Sequence, residues 1–281
     1  MDQKESRRFA FIGCGNMAGA IIRALELAGV PHSSVWLNNR SPEKYKNFAP
    51  DYNIAADAAQ AVSNAEVIFL CVKPQNFSEP LEVIRRAGIS LSGKTVISVV
   101  TGISCARIAQ AMGDENAAVI RTMPNTPLLA GLGVTAICRS SAVSDEVYGY
   151  VKALPSSVGE VLEIPENKMC DIIAETGSSP AYVYYFIKAM VDKAAEYGFD
   201  RADMTRAVCD TFIGAATLLR DGGRTPDEQI RMVTSPGGTT ERAMRVFAQE
   251  GIGDIIARAM DACTDRAYEL AGEPRAKSED K

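Results

Sequence analysis

Phe9-Ala10-Phe11-Ile12-Gly13-Cys14-Gly15-Asn16-Met17-Ala18 is a short apolar run that breaks into glycine and then opens a helical pattern. Its last six residues match Gly-x-Gly-x-x-Ala, the turn that dinucleotide-binding folds place between their first strand and first helix. Gly13 permits the tight turn, Gly15 lets a pyrophosphate approach the backbone, and Ala18 lets the helix pack closely on the sheet. A bare match of this kind is weak, because glycine-rich turns are common. Context strengthens it: residues 9–12 read as a strand, and residues 16–28 carry helical spacing closed by Gly29.

Working outward, residues 35–37 read as a second strand, and Ser41-Pro42-Glu43 offers an N-cap with proline at the first helical position. Residues 67–72 and 96–100 are continuous apolar runs, as expected of strands covered on both faces. A helix over 80–87 separates them, and strands over 119–121, 134–138 and 158–162 continue the alternation. The fold class is therefore α/β, a Rossmann-type doubly wound and mostly parallel sheet. After Pro165 the strands stop. Residues 167–175, 181–197, 202–220 and 252–270 read as helices; in the third, Met204, Val208, Phe212, Ala215 and Leu219 fall three and four apart. The expected organisation is a dinucleotide-binding domain over 7–165, a smaller all-helical domain over 166–271, and a polar tail over 272–281.

Of 281 residues, 47% are hydrophobic and 23% charged, the balance of a globular protein with a real core. A net charge of −5 argues against a nucleic acid or an anionic membrane as partner. The charged opening, Met-Asp-Gln-Lys-Glu-Ser-Arg-Arg, does not suit a secretory leader, and no apolar run is long enough to span a bilayer. Seven cysteines are scattered without any Cys-x-x-Cys, which suits a reducing cytoplasm and gives neither a disulfide framework nor a metal site. The only histidine, His32, sits in a Gly-Val-Pro-His-Ser-Ser connection and reads as an exposed loop residue. Redox chemistry here must manage without a histidine acid.

The second strand ends Asn38-Asn39-Arg40-Ser41, with no acid before Glu43. NAD sites usually place an acid here for the ribose 2′-hydroxyl, whereas a cation and a hydroxyl suit the 2′-phosphate of NADP. NADPH is the expected coenzyme, with NADH admitted. Ligands of open α/β sheets lie across the carboxyl ends of the strands, which here carry Val72-Lys73-Pro74 and Val100-Thr101-Gly102. Arg121-Thr122-Met123-Pro124-Asn125-Thr126-Pro127 is a stiff loop whose Asn125 can bond backbone groups. Far along the chain, Val233-Thr234-Ser235-Pro236-Gly237-Gly238-Thr239-Thr240 packs glycines and hydroxyls into a turn before a helical pattern that begins at Glu241. Free N–H groups at a helix start bind anions, and the hydroxyls add donors without adding charge. Glu175-Thr176-Gly177-Ser178-Ser179-Pro180-Ala181-Tyr182 interrupts what would otherwise be one long helix.

Gly-x-Gly-x-Met-Ala, Val-Lys-Pro-Gln, Met-Pro-Asn-Thr-Pro, Ser-Pro-Ala-Tyr and Val-Thr-Ser-Pro-Gly-Gly-Thr-Thr occur in that order. In this the chain resembles the pyrroline-5-carboxylate reductases, which make proline from its cyclic imine precursor. The resemblance implies NADPH held at Gly13, Cys14, Gly15, Asn16, Met17, Asn39, Arg40, Ser41, Val72, Lys73, Pro74, Val100, Thr101 and Gly102, with Asn125 beside them. It implies a cyclic imine carboxylate bound by Ser235, Gly237, Gly238, Thr239 and Thr240, with Ser178 nearby and the Thr240 hydroxyl on the ring nitrogen. It also implies a homodimer built on the helical domain, and leaves open whether dimers assemble further. Two departures stand out: Ser179 where the family usually has glycine, and Ala58 where it often has asparagine.

Two other readings compete. The β-hydroxyacid dehydrogenases share this architecture and use a catalytic lysine, a role that Lys188 invites; but the sequence puts Lys188 well beyond Gly177, with Pro180 between. A non-catalytic nucleotide-binding relative should have lost hydroxyls or glycines from these turns, and both turns are intact.

Overall fold

The computed structural model describes residues 7–41, 43, 48, 51–156 and 158–275. The opening residues, the helix start expected at Pro42 and the last residues of the expected tail lie outside the described residues. In chain order the sheet unit runs β1 (Phe9–Ile12), α1 (Asn16–Leu27), β2 (Val35–Asn38), β3 (Asn53–Ile54), α2 (Ala58–Ser63), β4 (Val67–Leu70), α3 (Ser78–Arg86) and β5 (Thr95–Ser98). It continues through α4 (Cys105–Met112), β6 (Ala118–Pro124), β7 (Gly133–Arg139), α5 (Asp145–Ser156) and β8 (Gly159–Glu163). The helical elements that follow are α6 (Ser179–Glu196), α7 (Arg201–Asp221), α8 (Pro226–Val233), α9 (Thr239–Gln249) and α10 (Ile252–Ala271).

The eight strands are ordered β3-β2-β1-β4-β5-β6-β7-β8, parallel throughout except for the antiparallel β6–β7 pair. Chain direction away from β1 reverses between β1 and β4, which makes the carboxyl end of that pair the switch point where such sheets bind ligands. In register, Ala10 and Ile12 face the same side as Ile68 and Leu70, under α2, α3 and α4. Phe9 and Phe11 face the other side with Val67 and Phe69, under α1 and α5. The Phe11 and Phe69 rings stack 4.6 Å apart. Burying each such large apolar side chain stabilises by about 1.5–3 kcal/mol, enough to fix the strand order around the switch point.

The segment expected as a helix over 167–175 is instead a 3-10 turn, Glu166–Lys168, followed by a π turn, Ile173–Gly177. The Asn125 side chain donates to the Thr176 carbonyl, and the Ser178 N–H reaches back five residues to Ile173, widening the turn. By packing, residues up to Ser178 and those from Cys263 onward form one compact unit, and Ser179–Ala262 form another. The expected boundary at Pro165 therefore differs from the packing boundary. The reason is a small core in which Met169, Cys170, Ile173, Ala267 and Ala271 close over Met123, Ala136 and Cys138.

His32 is not a free loop residue. It stacks on Tyr52 at 4.5 Å, with Nε2 3.4 Å from Glu26, just before β2 begins and so at the edge opposite the strands' carboxyl ends. Among the described residues no helix is long and apolar enough to cross a membrane.

Candidate functional site

β1 is followed directly by Gly13, whose φ of +96° only glycine adopts easily, and whose N–H donates to the Asn38 carbonyl at the end of β2. A Cβ on Gly13 would lie 2.6 Å from the Cys71 carbonyl oxygen, so this turn sits hard against the end of β4. Gly15 caps α1 in an extended conformation, and a Cβ there would meet nothing within 4 Å. No side chain caps α1 and no acid stands in its first turn, which leaves the first N–H groups of the helix open to an anion. The site thus fits the pyrophosphate of a dinucleotide. Cys14 and Asn39 organise this cradle: the Cys14 N–H donates to Asn39 Oδ1 at 3.0 Å, and Asn39 Nδ2 donates to the Ser41 carbonyl. Burial pushes the Cys14 thiol up to about 12, so it stays neutral. Arg40 is exposed beyond this brace and faces Glu79 of α3.

Lys73 is exposed at the start of the 3-10 turn Pro74–Asn76. The loop after β5 is held from two sides. Gly102 packs so tightly on α10 that a Cβ would lie 2.8 Å from the Ala271 nitrogen, and Arg107 donates to the Ala271 carbonyl. Glu166 Oε1 accepts from the Cys105 N–H at 2.7 Å and from Arg121 Nη1 at 2.9 Å, tying the start of α4 to the middle of β6. A cavity of about 320 Å³ opens beside these groups, lined by Gly102, Arg121, Glu166 and Tyr268 among others. Cys105, Cys138 and Glu166 lie within 4.8 Å of one another, but the guanidinium already on that carboxylate opposes a metal cation.

Burial pushes the Glu166 carboxyl up, yet the Cys105 N–H and Arg121 together bring it below the usual range. Glu166→Gln would leave the Arg121 charge, only 6% exposed, without its counter-ion. Removing one partner of a fully buried pair costs about 3–5 kcal/mol; with Glu166 itself 38% exposed, about 2 kcal/mol is expected. A carboxylate with a depressed folded pKa contributes above its unfolded value, near 4.3, and loses that contribution as pH falls through the folded value. Urea melts should therefore show the two proteins converging below about pH 4. A gap independent of pH would mean that the pair does not carry the difference.

Asn125 is buried, and its amide is used inside the unit: Oδ1 accepts from the Val134 N–H at 2.9 Å, and Nδ2 donates to Thr176 at 3.0 Å. It braces three segments rather than presenting its side chain outward. The Ser178 hydroxyl accepts from the Cys263 thiol at 3.3 Å.

In the helical unit, Ser235-Pro236-Gly237-Gly238 forms a turn closed by the Gly238 N–H on the Ser235 carbonyl, with Gly237 at φ +72°. The Gly237 N–H donates to the Glu241 carboxylate at 2.8 Å. Both glycine N–H groups are thus committed within the turn, and these residues shape it instead of donating outward. The remaining donors are those helix geometry leaves open in the first turn of α9, at Thr239, Thr240 and Glu241, because no side chain caps this helix. The same turn carries the hydroxyl residues Ser235, Thr239 and Thr240, with Ser235 Oγ packed against Gly238. The turn therefore offers neutral donors to an anion, with the chain's own Glu241 carboxylate already on the Gly237 N–H beside them. Lys188, by contrast, lies exposed on α6 and pairs with Asp192 one turn along.

Residues 166–270 match the family described as pyrroline-5-carboxylate reductase dimerisation, and residues 8–102 match NADP oxidoreductase coenzyme F420-dependent. The curated pyrroline-5-carboxylate reductase of Corynebacterium melassecola is 35% identical over 93% of this chain and 97% of its own length. The chain belongs to the pyrroline-5-carboxylate reductases. The enzyme of that name from Escherichia coli K12 is 34% identical over 94% of this chain and 98% of its own. A crystal structure of Plasmodium falciparum pyrroline carboxylate reductase with NADP bound matches with a TM-score of 0.87 over 95% of this chain and 99% of that one. At 23% identity that likeness shows the fold.

Three side chains that shape this site, Arg121, Glu166 and Glu79, carry no local sequence signal of that role. Arg121 stands in the middle of β6, but its partner Glu166 is 45 positions away, and nothing local links the two. Glu79 has the appearance of an ordinary acid in the first turn of a helix.

Proposed function

We infer that the chain reduces 1-pyrroline-5-carboxylate to L-proline with NADPH, the last step of proline biosynthesis. The observation that carries this reading is the presence, in one family member, of an uncapped dinucleotide cradle at Gly13–Gly15 and an uncapped Ser-Pro-Gly-Gly-Thr-Thr helix start at α9. NADPH, when bound, supplies the hydride to the imine carbon. The C=N electron pair moves to the ring nitrogen, which is protonated beforehand from solvent, and a secondary amine results. The chain's own work is to bind and orient. The first-turn N–H groups of α1 take the pyrophosphate, and Arg40 and Ser41 take the 2′-phosphate. Ser235 and the open N–H groups of α9 hold the substrate carboxylate, and the Thr240 hydroxyl fixes the ring nitrogen. No strong protein acid is needed, which accords with the only histidine lying at the far edge of the sheet.

Purified protein with NADPH and pyrroline-5-carboxylate should show loss of the NADPH absorbance. A six-membered imine and a β-hydroxyacid with NADP serve as comparisons. NADPH binding without turnover of any cyclic imine would overturn the reading.

The helical segment is proposed as the dimerisation domain. α7, α8 and α9 bury no residue within a single chain, while Tyr184, Tyr185, Ile213, Leu218, Met232 and Val246 stand exposed. Apolar exposure on this scale needs a partner, and a second copy presents the same surface. Light scattering should report a dimer or an assembly of dimers, with activity lost on dilution only where the dimer dissociates. A fully active monomer would sink this part. We assign the enzyme to a reducing cytoplasm, supported by seven unpaired cysteines.

A further inference from the structure

Arg40 and Glu79 face each other across the dinucleotide turn. β1 lies between β2 and β4 in the sheet; Arg40 follows β2, and Glu79 stands in the first turn of α3, which follows β4. The pair therefore spans the loop that begins at Gly13. Arg40 Nη1 is 3.7 Å from Glu79 Oε2, with the side chains 76% and 64% exposed. As a structural tie this is worth little, because exposed ion pairs contribute about 0–1 kcal/mol. Its effect falls instead on whatever else seeks Arg40.

A 2′-phosphate is a dianion that wants that guanidinium, and a carboxylate already beside it both competes and repels. A 2′-hydroxyl brings no charge, and a carboxylate is the group that NAD sites use to accept from it. The second strand ends without an acid, so Glu79 brings to this corner the carboxylate that Asn39-Arg40-Ser41 lacks.

We propose that Glu79 sets the coenzyme ratio: it competes with the 2′-phosphate for Arg40 and so lowers the preference for NADPH over NADH that Arg40 alone would give. The proposal rests on the assignment of Arg40 to the 2′-phosphate made above. Calorimetric titration of the full chain with 2′,5′-ADP and with 5′-AMP tests it without turnover, since Arg40 and Glu79 act on the phosphate by which the two probes differ. Glu79→Gln should tighten 2′,5′-ADP by about threefold to fivefold and leave 5′-AMP unchanged or slightly weaker, an effect that fades at high salt. In kinetics the KM for NADPH should fall with kcat unchanged, and the KM for NADH should not fall. Equal changes for both nucleotides, or no change for either, would overturn the role of Glu79. Arg40→Ala separates the two ideas: it should weaken 2′,5′-ADP far more than 5′-AMP. If it does not, the underlying assignment of Arg40 fails.

Discussion

Thr240→Ala is expected to lower kcat/KM for the cyclic imine by about 10²–10³-fold while leaving NADPH affinity within about twofold. Thr240 is the second residue of α9, half-buried, at a helix start that no side chain caps. As the iminium accepts hydride its nitrogen becomes a neutral amine, and a hydroxyl fixed beside it can bond to both forms. Losing such a preorganised group costs most where water is excluded. Thr240→Ser keeps the oxygen and should retain most of the activity, whereas a defect in folding would lower the melting temperature of the alanine variant. Steady-state kinetics on both variants, with melting curves beside them, decide the matter. If the alanine variant turns over normally, substrate positioning comes from the turn's backbone, and Thr240 has no catalytic part.

Much of the sheet was legible in the sequence, for a physical reason. Parallel strands buried on both faces read as unbroken apolar runs, so β1, β4 and β5 announce themselves, and the Gly13 turn says where the first helix begins. Reversal of β7 left no local sign, because an antiparallel strand covered on both faces carries the same apolar run. Several of the sheet unit's helices were harder. α2 is six residues held by the Asp57 cap, α4 depends on Ser104, and α5 carries Pro155 inside it, so periodicity alone does not find them. The 166–177 stretch has helical composition, yet the Thr176 carbonyl is held by Asn125 from another segment, and that tertiary contact decides its shape. For the candidate site, residue types were legible but donor directions were not. The sequence puts Gly237 and Gly238 at the substrate, the latter through its backbone, but Glu241 and the Ser235 carbonyl take their N–H groups. Asn125, expected beside the cofactor, is used as a brace. Such assignments depend on which acceptor lies within 3 Å, and only the folded chain fixes that.

Gly13→Ala and Gly15→Ala should both weaken NADPH binding strongly, yet by different routes that a melting curve separates. At Gly13 an alanine must adopt φ near +96° and bring its Cβ to 2.6 Å from a backbone oxygen of Cys71. The left-handed conformation costs about 1–2 kcal/mol, and because the clashing atom is main chain, either the turn or the end of β4 must move. A total of about 2–4 kcal/mol is expected, lowering Tm by roughly 5–15 °C. The KM for NADPH should rise about 10²-fold, because an ångström of misplacement at a positioning turn costs on that order. Gly15 differs: its φ is −85°, and a Cβ would meet nothing within 4 Å. Gly15→Ala should therefore fold with Tm unchanged within about 2 °C, since the added methyl stands only where the pyrophosphate approaches. Its loss of NADPH affinity, read by fluorescence titration, is then a direct effect of contact. Should Gly15→Ala bind NADPH normally, the open space above this turn is not where the pyrophosphate lies, and the cradle has been placed wrongly.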